Sequence, residues 1–93
     1  MNEIKEYIIA QVGKMVPEFE KLEFRASISD TSRSSEFFIT TAGERLQCYE
    51  MVDNGLLSDE KLDETFAAIA DYWRKCADYK KGQINKLNFI YER

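Results

Sequence analysis

The chain has no histidine, only two cysteines and one proline among its 93 residues. Histidine is the side chain that most often acts as an acid, a base or a metal ligand near neutral pH. Without it, the Ser-His-Asp and Cys-His arrangements of nucleophilic catalysis cannot be built. Cys48 and Cys76 form no C-x-x-C pair, so zinc binding and thioredoxin-like chemistry are not expected. We expect two buried, reduced thiols.

Long apolar runs and glycine-rich loops are missing as well. Apolar stretches of only a few residues predict no membrane-spanning helix, and residues 1–6 carry Glu3 and Glu6 where a signal peptide has basic residues. The four glycines lie apart, so neither a P-loop nor a dinucleotide-binding motif occurs. These absences predict a cytoplasmic protein that is not an enzyme and uses no cofactor or metal.

Negative charge is concentrated in the middle of the chain. The formal net charge is −4, and residues 18–64 hold twelve Asp and Glu against five Lys and Arg. Such a surface repels phosphates, so direct nucleic-acid binding is not expected. A basic protein is the favoured partner, because complementary potentials speed association and reject wrong partners.

One basic cluster runs against this trend. Cations in the last turns of a helix are stabilising without any further function, and this structural explanation is the simpler one. The cluster consists of Arg74, Lys75, Lys80, Lys81 and Lys86.

The length allows one domain over residues 1–93 with one hydrophobic core. Apolar residues at helical spacing predict a helix over 2–15, ended by Pro17. Alternating patterns predict strands over 21–29, 36–41 and 84–91, and a less regular one over 45–51. A second long helix is expected from Ser58 to about residue 81, followed by Gly82.

This order, α-β-β-β-α-β, predicts an α+β fold. Its simplest packing is an antiparallel sheet with two helices packed on one face, because that buries both helical stripes and the inward strand residues. The second helix should bury a stripe that includes Trp73 and Ala77. The other face of the sheet is expected to stay open.

Four acidic residues of the second predicted helix fall on one side of it, at spacings of four, seven and seven: Glu60, Glu64, Asp71 and Asp78. We expect Glu60, Glu64 and Asp71, with Asp53 and Asp59, to contact a basic partner. Two aromatic residues, Phe38 and Tyr49, are candidate anchors, on the assumption that both point to the open side of the sheet.

Two other functions use closely spaced acidic residues, a glycosidase and a calcium site, and neither fits the sequence well. Paired carboxylates act as general acid and base in glycosidases, and the pairs here are Glu60 with Glu64 and Asp59 with Asp63. Acids in a first helical turn, however, complement the helix dipole without any function. The acids around Asp53 do not meet the twelve-residue spacing of a calcium loop.

One combination of features extends over most of the chain, about residues 4–91: the Pro17 break, the strand over 22–29, the Ser35-Glu36-Phe37-Phe38-Ile39 strand, the acidic segment and a long helix with Leu62, Phe66 and Trp73. In this combination the chain resembles the YezG-type bacterial immunity proteins. The resemblance implies a cytoplasmic protein that protects a bacterium by binding the C-terminal toxic domain of a polymorphic or contact-dependent toxin, often a nuclease.

Our hypothesis is therefore an immunity protein that blocks a basic toxin domain by stoichiometric, non-covalent occlusion through an acidic surface. The alternative is a small adaptor that forms homo-oligomers through the open sheet face.

Overall fold

The computed structural model describes residues 2–93 as an α+β fold in the order α-β-β-β-α-α-β. The helices are α1 (Asn2–Met15), α2 (Cys48–Asp53) and α3 (Asp59–Arg74), and the strands are β1 (Lys21–Ile28), β2 (Arg33–Thr41), β3 (Glu44–Gln47) and β4 (Asn85–Glu92). No helix within residues 2–93 is both long and apolar enough to cross a membrane.

The four strands form one antiparallel sheet in the order β3-β2-β1-β4. In β1 the burial alternates as predicted, with Leu22, Phe24, Ala26 and Ile28 buried. β2 begins three residues earlier than predicted, at Arg33, because the hairpin turn needs only the residues between Ile28 and Arg33. The fourth strand agrees with the prediction to within one residue at each end.

Helices α1 and α3 cover one face of this sheet, as predicted, and run antiparallel. The start of α1 meets the end of α3, where the Tyr72 hydroxyl donates to Glu3 Oε1 at 2.7 Å. At the other end, the Thr65 hydroxyl lies 3.5 Å from the sulfur of Met15. Both helices bury their apolar stripes in one core with the inward strand residues. Trp73 is part of that core.

The predicted strand over 45–51 is wrong beyond Gln47. The Gln47 side chain accepts hydrogen bonds from the backbone N–H groups of Tyr49 and Glu50, at 2.8 and 3.1 Å, and so caps the short helix α2. Cys48 and Met51, three residues apart, are then both buried on one side of that helix. The sequence pattern was ambiguous here, because Leu46 and Cys48 alternate as in a strand, whereas Cys48 and Met51 have the three-residue spacing of a helix.

The predicted second helix is seven residues too long, since α3 ends at Arg74. The chain beyond it is held by Asp30, whose carboxylate accepts from the Tyr79 hydroxyl and, at 3.0 Å, from the Gly82 N–H. As a result Ala77 is exposed and does not belong to the buried stripe. Asp78 also leaves the predicted line of carboxylates.

The two cysteines are free, as expected, but only one is buried. Cys48 is fully buried, whereas Cys76 lies just past the end of α3 and is partly exposed. Burial raises the pKa of both thiols.

Candidate protein interface

Four of the predicted contact acids lie around the connection between α2 and α3, and we call them the acidic junction: Asp53, Asp59, Glu60 and Glu64. Asp53 is the last residue of α2, and Asp59 and Glu60 are the first two of α3. Ser58 caps α3 by accepting from the Lys61 N–H at 3.3 Å. All four carboxylates are exposed to solvent.

The side-chain carboxylates of the junction make no ion pair or hydrogen bond within residues 2–93. Two other acids of α3 form ion pairs. Arg33 Nη2 lies 2.9 Å from Asp63 Oδ1, and Arg74 Nη1 lies 3.4 Å from Asp71 Oδ1. Asp71 is also displaced, because seven residues of helix separate it from Glu64 by about 10 Å. Of the five predicted contact acids, the structure therefore groups four and leaves Asp71 apart and partly neutralised.

A groove of about 460 Å³ opens beside Glu64, between the second half of α1 and the first half of α3. The loop after α2 forms one end of it, and there Leu56 exposes 60% of its surface. Leu56 is not among the predicted contact residues, although the adjacent pair Leu56-Leu57 next to Gly55 is visible in the sequence. Residues of both charges line the groove with apolar ones: Gln11, Lys14, Met15, Leu56, Leu57, Ser58, Lys61, Glu64, Thr65 and Ala68.

Contrary to expectation, Tyr49 does not lie on a strand beside Phe38 but in α2 at the edge of the sheet, where it borders a depression of the open face. Its hydroxyl donates to the Ser35 carbonyl at 2.8 Å and its ring meets Phe66 edge-on at 6.4 Å. Burial raises the pKa of Tyr49, and the nearby charge of Asp59 acts in the same direction. Tyr49 is thus a 46% exposed aromatic residue at the flank of the acidic junction.

Phe38 does face the open side of the sheet, as predicted. The Arg45 guanidinium lies over its ring, 3.8 Å from the centroid, and so covers part of it. Arg45 also donates to both carboxylate oxygens of Glu23, at 2.8 and 3.2 Å, and these hydrogen bonds lower the pKa of Glu23. Phe38 is therefore half-covered by a guanidinium and lies away from the acidic junction.

The rest of the open sheet face carries charges of both signs. A shallow depression of about 410 Å³ lies on it, with Arg25 and Lys86 on one side and Glu36 on the other. Ile90 is the most exposed apolar side chain of this face, at 62%. The open sheet face is thus of mixed charge, unlike the cluster of exposed acids at the junction.

The carboxylate pairs proposed for a glycosidase both lie on the solvent side of α3. Asp63 is occupied by Arg33, whereas Glu60 and Glu64 are one helical turn apart and open to water. Within residues 2–93, no three His, Cys, Asp or Glu side chains come close enough to hold a metal ion. The absence of enzymatic activity remains a prediction.

The chain matches no family model and no curated protein. A functional assignment therefore depends on the geometry described above and on the sequence resemblance.

Proposed function

We propose that this chain is an immunity protein, which binds a basic toxin domain through the acidic junction and blocks it without forming a covalent bond. The observation that carries the proposal is the set of four exposed carboxylates that have no partner within residues 2–93, beside the exposed Leu56 and the half-exposed Tyr49. A charged patch with adjacent apolar anchors is the composition of a specific protein interface.

Each part of this surface has a separate physical role. The four carboxylates attract a cationic cleft over a distance of roughly 8 Å at physiological salt, which raises the association rate. Exposed ion pairs add little affinity by themselves. Leu56 and Tyr49 supply apolar area that loses water in the complex, which slows dissociation.

A toxin cleft that binds nucleic acid is a fitting partner, because its cations are placed to receive closely spaced phosphates. Asp59, Glu60 and Glu64 present their carboxylates on about one and a half turns of helix, a comparable density of negative charge. Occlusion by this surface requires no catalytic residue in the inhibitor. A host-protecting pair needs nanomolar affinity or better, about 12 kcal/mol of binding free energy.

Co-expression with a toxin domain encoded beside this chain tests the proposal. The wild-type chain is expected to protect the cell, and the double charge reversal Glu60→Lys/Glu64→Lys is expected to abolish protection. Glu6→Lys/Glu18→Lys is the matched control, since it makes the same change of net charge at two exposed acids outside the junction. Equal protection by both double variants would place the binding surface elsewhere.

The homo-oligomeric adaptor remains the alternative, and the exposed Ile90 on the open sheet face favours it. Light scattering of the wild-type chain and of Phe38→Ser, combined with a pull-down for a partner, separates this alternative from an inhibitor. Association through the open face would be supported by an oligomer that Phe38→Ser converts to monomers and that recovers no partner protein in a pull-down.

A further inference from the structure

The two edge strands of the sheet, β3 and β4, differ in how much of their length is paired and in what covers their outer side. On one side, β3 pairs only with residues 38–41 of β2, and the Tyr49 hydroxyl then hydrogen-bonds the Ser35 carbonyl beyond the end of β3. On the other side, β4 pairs with β1 along all eight of its residues. Within residues 2–93, no loop or helix hydrogen-bonds the outer side of β4. An uncovered edge strand with an unbroken register and without proline is a template for another strand.

The backbone groups that face outward on β4 follow from the register. The Arg93 N–H donates to the Glu20 carbonyl at 2.9 Å, so the groups of Arg93 point toward β1. Because directions alternate along an antiparallel strand, the outward N–H and C=O groups belong to the even-numbered residues. These residues also place their exposed side chains on the open sheet face: Lys86, Asn88, Ile90 and Glu92.

We propose that β4 pairs antiparallel with β4 of a second copy of this chain, with Phe89 opposite its own counterpart on the two-fold axis. In that register Lys86 of each copy lies directly opposite Glu92 of the other, and Asn88 lies opposite Ile90. Glu92 also lies 4.0 Å from Lys21 of its own chain, on its other side, so it would be flanked by two lysines in the dimer. The four facing pairs form about eight backbone hydrogen bonds, two for each pair. The two sheets then join into one sheet of eight strands.

Charge selects this register over its neighbours. Side chains on the same face must lie opposite each other, so the pairing can shift only in steps that keep even residues opposite even ones. If the two-fold axis moves to residue 88, Lys86 lies opposite Ile90 of the partner strand. If the axis moves to residue 90, Ile90 lies opposite Ile90 of the partner strand, and Lys86 has no residue of that strand opposite it. Only the proposed register gives two cross-strand pairs of opposite charge.

The dimer goes beyond the proposed toxin inhibition and is compatible with it. The acidic junction is near Tyr49, which lies at the β2 side of the sheet, and β4 is the strand at the opposite edge. Both junctions of the dimer therefore stay accessible. The assembly expected with a toxin is a complex of two inhibitors and two toxins.

Sedimentation and light scattering of the full chain test the dimer directly. The wild-type protein is expected at twice the 10.9 kDa chain mass. Lys86→Glu places Glu opposite Glu92 in both pairs, and Glu92→Lys places Lys opposite Lys86, so each variant alone should dimerise roughly tenfold more weakly or worse. The exposed Lys81→Glu, off the strand, is the charge-matched control and should remain a dimer.

Mixing the two single variants gives the decisive result. If they form a heterodimer, both are folded, and the loss of each homodimer cannot be caused by unfolding. An equal mixture of Lys86→Glu and Glu92→Lys restores both opposite-charge pairs, and a heterodimer of wild-type affinity is expected. The double variant Lys86→Glu/Glu92→Lys should likewise recover the homodimer. A monomeric wild-type chain, a dimer indifferent to both single changes, or a mixture that stays monomeric would each overturn the proposal.

Discussion

Phe66 joins the acidic junction to the sheet, so its truncation tests the packing that positions the site. Its ring meets those of Phe24, Phe37 and Tyr49 at 6.0 to 6.4 Å between centroids, and only 2% of the residue is exposed. Phe66→Ala removes these contacts and leaves a cavity that the sheet cannot fill. We expect a loss of about 3 to 5 kcal/mol in the free energy of unfolding.

That loss is large for a domain of this size. The unfolding entropy of 93 residues is about 0.2 kcal/mol per kelvin, so the midpoint of thermal unfolding should fall by roughly 15 to 25 °C. Scanning calorimetry and urea denaturation measure both quantities. The control Leu56→Ala, at a residue 60% exposed, should change stability by less than about 0.5 kcal/mol. A loss below about 1 kcal/mol for Phe66→Ala would refute this account of the core.

Three smaller predictions follow from individual contacts. Tyr49→Phe removes the hydrogen bond to the β2 edge and should lower stability by about 1 kcal/mol in urea denaturation; an unchanged midpoint would show that this bond is not formed. The hydrogen bond to Glu3 raises the pKa of Tyr72 to about 12, so Tyr72 stabilises the fold fully below pH 10 and this contribution is lost as the pH rises to about 12. Ultraviolet titration should show a tyrosine that ionises at about pH 12 and that Glu3→Gln brings back toward 10, whereas Tyr49 and Tyr79, whose pKa values are also raised, should not respond to that change; no change for Tyr72 would contradict the assigned contact. Thiol labelling should modify Cys76 in the folded protein and Cys48 only on unfolding; equal rates would contradict the burial of Cys48.

Elements with one unambiguous period could be predicted from the sequence. The helix over 2–15 is bounded by Pro17, and the buried side of β1 follows strict alternation, so both agree with the structure. The segment after Gln47 could not be predicted, because its apolar residues satisfy two periods. The choice between them is made by the Gln47 side chain, which caps a helix.

The end of α3 depends on a long-range contact that no local pattern contains. Asp30 lies about fifty residues upstream, and its hydrogen bonds to Tyr79 and Gly82 hold the following residues in turns. The acidity of the candidate site could be counted from the sequence. The pairing of Asp63 could not be predicted, because Arg33 lies thirty residues away and reaches it only in the folded chain. The Asp71–Arg74 pair, in contrast, has the three-residue spacing of neighbours on a helix and was visible in the sequence.

The central claim is that the unpaired carboxylates of the junction bind a cationic protein. Stopped-flow association with the toxin domain, measured over a series of salt concentrations, tests it most directly. For the wild-type chain the association rate should fall steeply with salt, and for Glu60→Lys/Glu64→Lys it should be lower and nearly independent of salt. Wild-type rates and an unchanged salt dependence in that variant, alongside the Glu6→Lys/Glu18→Lys control, would contradict the claim.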